Sequence, residues 1–103
     1  MRSLLDPRIP LLAAAALAAA PAAAQDAATR NIASACAICH GTEGRPATKD
    51  VVALAGLTRE HIAVQMRAFR DGQRPATVMH QIAKGYTDAQ IDAIAAWYAG
   101  QKR

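Results

Sequence analysis

From Gln25 to its end, the chain offers only 18 Val, Ile, Leu, Met, Phe, Trp or Tyr residues in 79 positions. That shortage constrains the fold more than any other feature. A chain of roughly 80 residues seldom builds a sufficient core from side chains alone and usually needs a staple or a bound group. The shortage is hidden in the overall composition, which is 52% hydrophobic but only 4% aromatic. Alanine accounts for 27 residues, ten of them between positions 13 and 24. One small domain is the ceiling, and a large enzyme with its own deep pocket is excluded.

Residues 1–24 read as a secretory signal. Arg2 and Arg8 supply the positive start, and Leu11 to Ala20 is an unbroken apolar stretch of ten. Ten residues fall short of the roughly 20 needed to span a bilayer. Ala22-Ala23-Ala24 is a small-residue cleavage pattern after Pro21, so the cut is expected before Gln25. An uncleaved anchor is the alternative. Export places the domain, 25–103, in the periplasm, without stable membrane insertion. Beyond the leader, ten Lys and Arg face seven Asp and Glu, a net +3. There are no like-charge blocks or interleaved aromatics, so a nucleic-acid partner is not expected.

The periodicity is helical throughout, and the fold class is all-α. A first helix is expected from Ala27 to about Cys39, followed by a long loop over Gly41–Leu57. Thr58 caps a second helix with Ile62, Met66 and Phe69 on one stripe, ended by Gly72. A short helix is expected over Ala76–Lys84. Thr87-Asp88-Ala89-Gln90 is a capping box opening the last helix, which buries Ile91, Ile94, Ala95 and Tyr98, with Trp97 beside them. The final helix is expected to pack on the first, and Gln101-Lys102-Arg103 to be a solvated tail.

The chemistry is concentrated in Cys36-Ala37-Ile38-Cys39-His40. C-x-x-C-H is the attachment signature of c-type haem. Cysteines three apart on a helix project to one side, so both thiols can add to the vinyl groups on one porphyrin edge, and the next residue, His40, can reach the iron. A disulfide closing so small a loop would stabilise little. A thioredoxin-like site needs strands, and a structural zinc site needs a second ligand cluster. For the sixth iron ligand the domain has two methionines. Met66 lies on the apolar stripe as core, which leaves Met79, with His80 as the bis-histidine alternative. His61 reads as an exposed helix residue. A His/Met pair raises the iron potential relative to two imidazoles and closes the iron to small molecules.

These residues support a resemblance: over 26–100 the chain is similar to a class I cytochrome c domain, a small helical domain wrapped around one covalent haem c. Cys36, Cys39 and His40 match that family's haem motif, and Met79 its distal ligand. The runs 68–75 and 79–88 resemble the cytochrome subunit of flavocytochrome c sulfide dehydrogenase. Gly41-Thr42-Glu43-Gly44 and Leu54-Ala55-Gly56 resemble the related, two-haem cytochrome c4 group. The resemblance implies a non-catalytic electron-transfer protein that accepts electrons from a flavoprotein dehydrogenase subunit. A free cytochrome c4/c5-like carrier, or an open-site haem sensor or peroxidase-like enzyme, is the alternative. In such cytochromes a proline near position 52 offers its carbonyl to the proximal histidine. Val51-Val52 stands there instead, so the Val52 carbonyl is the expected acceptor, with Pro46 as the alternative. Arg70 or Arg74 is a candidate partner for a haem propionate, and Tyr86 a candidate for the haem edge.

Overall fold

The computed structural model describes residues 26–103, so the leader assigned to 1–24 lies outside the described residues. Among the described residues there are five helices: α1 over 26–34, α2 Ala37–His40, α3 Arg59–Arg70, α4 Met79–Ala83 and α5 Asp88–Ala99. Among the described residues the only strand-like pairing is a single bridge between Thr42 and Arg45. No described helix is long and apolar enough to cross a membrane.

The long helices begin where their capping chemistry predicts. The Thr58 hydroxyl accepts the His61 amide at 3.1 Å and opens α3. At α5, Thr87 and Gln90 satisfy each other's amides reciprocally, at 3.2 and 2.9 Å. α3 ends in a reversal: Gly72, at φ +75°, donates to the Phe69 carbonyl and Gln73 to the Ala68 carbonyl, the paired bonds of a glycine-terminated helix. This reversal carries the chain back over α3. On the outside, Arg67 pairs with Asp88 and Asp92, and Arg70 with Asp71 and Asp88, clasping α3 to α5. Solvent screens such exposed pairs, so each contributes little to stability.

The structure corrects three expectations. The helix expected over Ala27–Cys39 is broken at Ala35-Cys36. There the Ala33 carbonyl accepts the Cys36 amide at 3.1 Å and the Tyr98 hydroxyl, which takes it out of the α-helical ladder. The short helix begins at Met79, not Ala76, because Val78 at φ −139° is not helical and offers no side-chain cap. The tail is not merely solvated: the Lys102 carbonyl accepts from Arg45 at 2.8 Å and the Gln101 amide group donates to Trp97 at 3.0 Å.

The loop 41–57 folds on itself and onto α5. Leu54 and Ala55 both donate to the Gly44 carbonyl, and Gly56 donates to the Tyr98 carbonyl at 3.1 Å. Tyr98 thus touches both the break before α2 and the long loop. The packed core remains small. Of its nine buried residues four are alanine (Ala33, Ala63, Ala83 and Ala95), and the largest fully buried side chains are Tyr98, Ile91 and Ile94.

Candidate functional site

Beside this core lies an apolar cavity of about 650 Å³, a size typical of sites for cofactors and other small molecules. Every helix except α1 contributes to its wall. α3 supplies Ile62, Met66 and Phe69, α5 supplies Ile94, and the segments around α4 supply Val78, Met79 and Ile82. Cys36, Cys39, His40 and Met79 all line this one cavity, although 43 residues separate the first from the last.

The break before α2 turns the motif toward the cavity. Both cysteines are free thiols, Cys36 half-buried and Cys39 exposed. Burial pushes the Cys36 thiol up, partly offset by the neighbouring Tyr98 hydroxyl. Burial likewise pushes the Tyr98 hydroxyl up to about 12, so it remains a donor through neutral pH. His40 Nδ1 lies 2.7 Å from the Val52 carbonyl oxygen. A carbonyl can only accept, so Nδ1 carries the proton and the lone pair is left on Nε2. That is the tautomer a metal-ligating histidine needs, with an acceptor that orients the ring. Val52 therefore takes the place of the expected proline, and Pro46 does not.

Met79 and His80 separate cleanly. Met79 lines the cavity, whereas His80 does not; its Nδ1 is buried without a hydrogen-bond partner. Met66 belongs both to the core and to the cavity wall. Of the two candidate arginines, Arg70 is committed to Asp71 and Asp88 outside the cavity, while Arg74 lines it. Tyr86 lines it too. Trp97 lies elsewhere, half-buried against α1.

His61 is an exposed helix residue as expected, but it also lines the cavity, as does Gln65, which the sequence reading did not single out. The available signal was their spacing of four beside the Ile62–Met66 stripe, which puts them on the same side of α3.

The arrangement fits a large flat apolar group better than an isolated ion. Among the described residues no three His, Cys, Asp or Glu side chains converge to hold a metal. A porphyrin matches the features present: an apolar wall, two thiols on one segment, a histidine with a free Nε2, and a thioether from a distant element.

No family model matches the chain. Over 70 residues it is 36% identical to cytochrome c-554(548) of Halomonas halodenitrificans, an alignment that covers 65% of this chain and 84% of that protein. It is 39% identical over 70 residues to the thiosulfate dehydrogenase electron acceptor of Thiomonas intermedia, covering 65% of this chain and 32% of that one. It is 38% identical over 63 residues to the cytochrome subunit of sulfide dehydrogenase of Chlorobaculum tepidum, covering 61% and 56%. The chain thus spans about a third of one relative, just over half of another and most of the third.

Proposed function

Because the chain belongs to the class I cytochrome c family, we propose that it is a periplasmic carrier of single electrons. In this reading Cys36 and Cys39, in the C-x-x-C-H motif, would hold one haem c through thioethers, and His40 and Met79 would ligate its iron. The haem supplies the one-electron ferric/ferrous couple. His40, fixed by the Val52 carbonyl 2.7 Å from its Nδ1, presents Nε2 as ligand. Met79 would supply a thioether as the second iron ligand, which would favour electron transfer over bond chemistry. Ile62, Met66, Phe69 and Ile94 exclude water. No side chain acts as an acid, base or nucleophile, and the protein is not an enzyme.

The observation that carries this reading is the His40–Val52 contact in a cavity lined also by both cysteines and Met79. A visible spectrum tests it. The oxidised protein is expected to have a weak long-wavelength sulfur-to-iron band that disappears in Met79→Ala. Ready binding of carbon monoxide by the reduced, unmutated protein would refute the closed site and favour a sensor.

The donor we propose is a dehydrogenase of a reduced sulfur compound, with this chain as its electron-accepting subunit. Support comes from the names of two relatives, a thiosulfate dehydrogenase electron acceptor and a sulfide dehydrogenase cytochrome subunit. Copurification of a flavin-containing subunit from the native host is the expected result. A cleanly monomeric native protein would point instead to a free carrier.

A further inference from the structure

The loop 41–57 carries the acceptor that orients His40, and it does so in its least supported stretch. Val52 accepts from His40 Nδ1 at 2.7 Å, yet residues 46–53 make no backbone–backbone hydrogen bond with the described residues. The loop is fixed on either side of that stretch instead. The Gly44 carbonyl accepts the Leu54 and Ala55 amides at 2.9 and 3.2 Å and closes its neck, and Gly56 donates to the Tyr98 carbonyl at 3.1 Å.

Residues 101–103 touch both ends of this loop. Arg45 Nη1 donates to the Lys102 carbonyl at 2.8 Å. The stem of Arg103 lies against Gly56, where a Cβ would come within 2.7 Å of its Cγ. Arg45 is itself aimed by Glu43, whose carboxylate accepts from Nη2 at 2.8 Å. Glu43 is the one described residue other than glycine with a positive φ, +54°; a strained backbone of this kind persists where its surroundings hold it. The Arg45–Glu43 pair is about half exposed, so it adds little to stability. Neither residue lines the cavity. An effect of theirs on the site has to pass through the loop.

We infer that Arg45 is a positioning residue of the haem site: by clasping residues 101–103 to the loop 41–57, it holds the Val52 carbonyl on His40 Nδ1. The inference rests on the haem reading above, in which His40 ligates the iron. Glu43 acts through Arg45 by fixing the guanidinium. A ligand whose orienting acceptor is held in place keeps one ring orientation in both oxidation states.

The test is the exchange of the His40 Nδ1 proton with solvent, followed by NMR in the reduced holoprotein. A proton bonded to a loop carbonyl exchanges when that loop opens locally. Arg45→Ala is expected to speed the exchange several-fold. Arg45→Lys, which can still donate to the Lys102 carbonyl, should recover most of the protection, and Glu43→Gln should lose part of it. Deletion of residues 102–103 should match Arg45→Ala, and combining the two should add nothing further, because both break one contact. Gly72→Ala weakens the fold at the far end of α3 and should leave the exchange unchanged. Unaltered exchange in Arg45→Ala, full additivity with the deletion, or an equal acceleration in Gly72→Ala would overturn the clasp and leave the haem reading standing. A chain purified from a cytochrome-maturing host without covalent haem would overturn the haem reading and the clasp with it.

Discussion

The hydroxyl of Tyr98 donates to the carbonyl of Ala33, joining the last helix to the first across 65 residues. This bond sits where α1 breaks, so it bears on how Cys36 enters the cavity. The Ala33 carbonyl keeps a second partner, the Cys36 amide at 3.1 Å. Loss of the hydroxyl therefore leaves no orphaned acceptor. Tyr98→Phe is expected to destabilise the holoprotein by about 0.5–1.5 kcal/mol, the net scale of one hydrogen bond. Denaturant unfolding measures it, and a wild-type midpoint would contradict it.

The same phenol gives a pH dependence with a definite sign. Burial raises Tyr98 from 10.0 to about 12, so the folded state holds this proton more tightly than the unfolded chain does. The stabilisation is complete below pH 10, declines as pH rises through the folded value and is gone above it. Unfolding curves from pH 9 to 12 should show a loss of stability in the unmutated protein that is smaller in Tyr98→Phe. Parallel curves for the two proteins would contradict the assignment.

Two glycines with left-handed backbones separate packing from strain. At Gly72 (φ +75°) a Cβ would meet nothing within 4 Å, so Gly72→Ala carries only the conformational cost, about 1–2 kcal/mol. At Gly44 (φ +80°) a Cβ would lie 2.8 Å from the Ala55 nitrogen and 2.8 Å from the Tyr98 ring. Gly44→Ala adds that collision to the same strain and should displace the loop carrying Val52. Thermal unfolding is expected to rank Gly44→Ala well below Gly72→Ala. Equal losses would mean that the loop yields freely.

What could be read along the chain was local. The caps at Thr58 and Thr87, the stripe Ile62–Met66–Phe69 and the Cys36–His40 motif each depend on residues a turn or two apart. The break at Ala35-Cys36 did not show, because its second partner, Tyr98, is distant in sequence. Arg74 could not be distinguished from Arg70 by type or spacing. The reversal at Gly72 separates them, leaving Arg70 against Asp88 and Arg74 over Phe69. His61 was legible as an exposed helix residue, but not as part of the cavity wall, because its pattern signals exposure alone.

The scarcity of bulky apolar residues leads to the last prediction. Four of the nine buried core residues are alanine, and Ile62, Met66 and Ile94 belong to the core and line the cavity at once. Val52, Val78 and Ile82 line the same cavity but are exposed in the protein chain alone, so a large apolar group filling about 650 Å³ would give them packing partners. A chain this short has little reserve without such a group. The double variant Cys36→Ala, Cys39→Ala, made without haem, is expected to be molten or largely unfolded. It should lose the near-UV signal of Trp97 and Tyr98, bind a hydrophobic dye and retain only part of its helical far-UV signal. Native-like near-UV and far-UV spectra in that apoprotein would show that the side chains suffice without the ring.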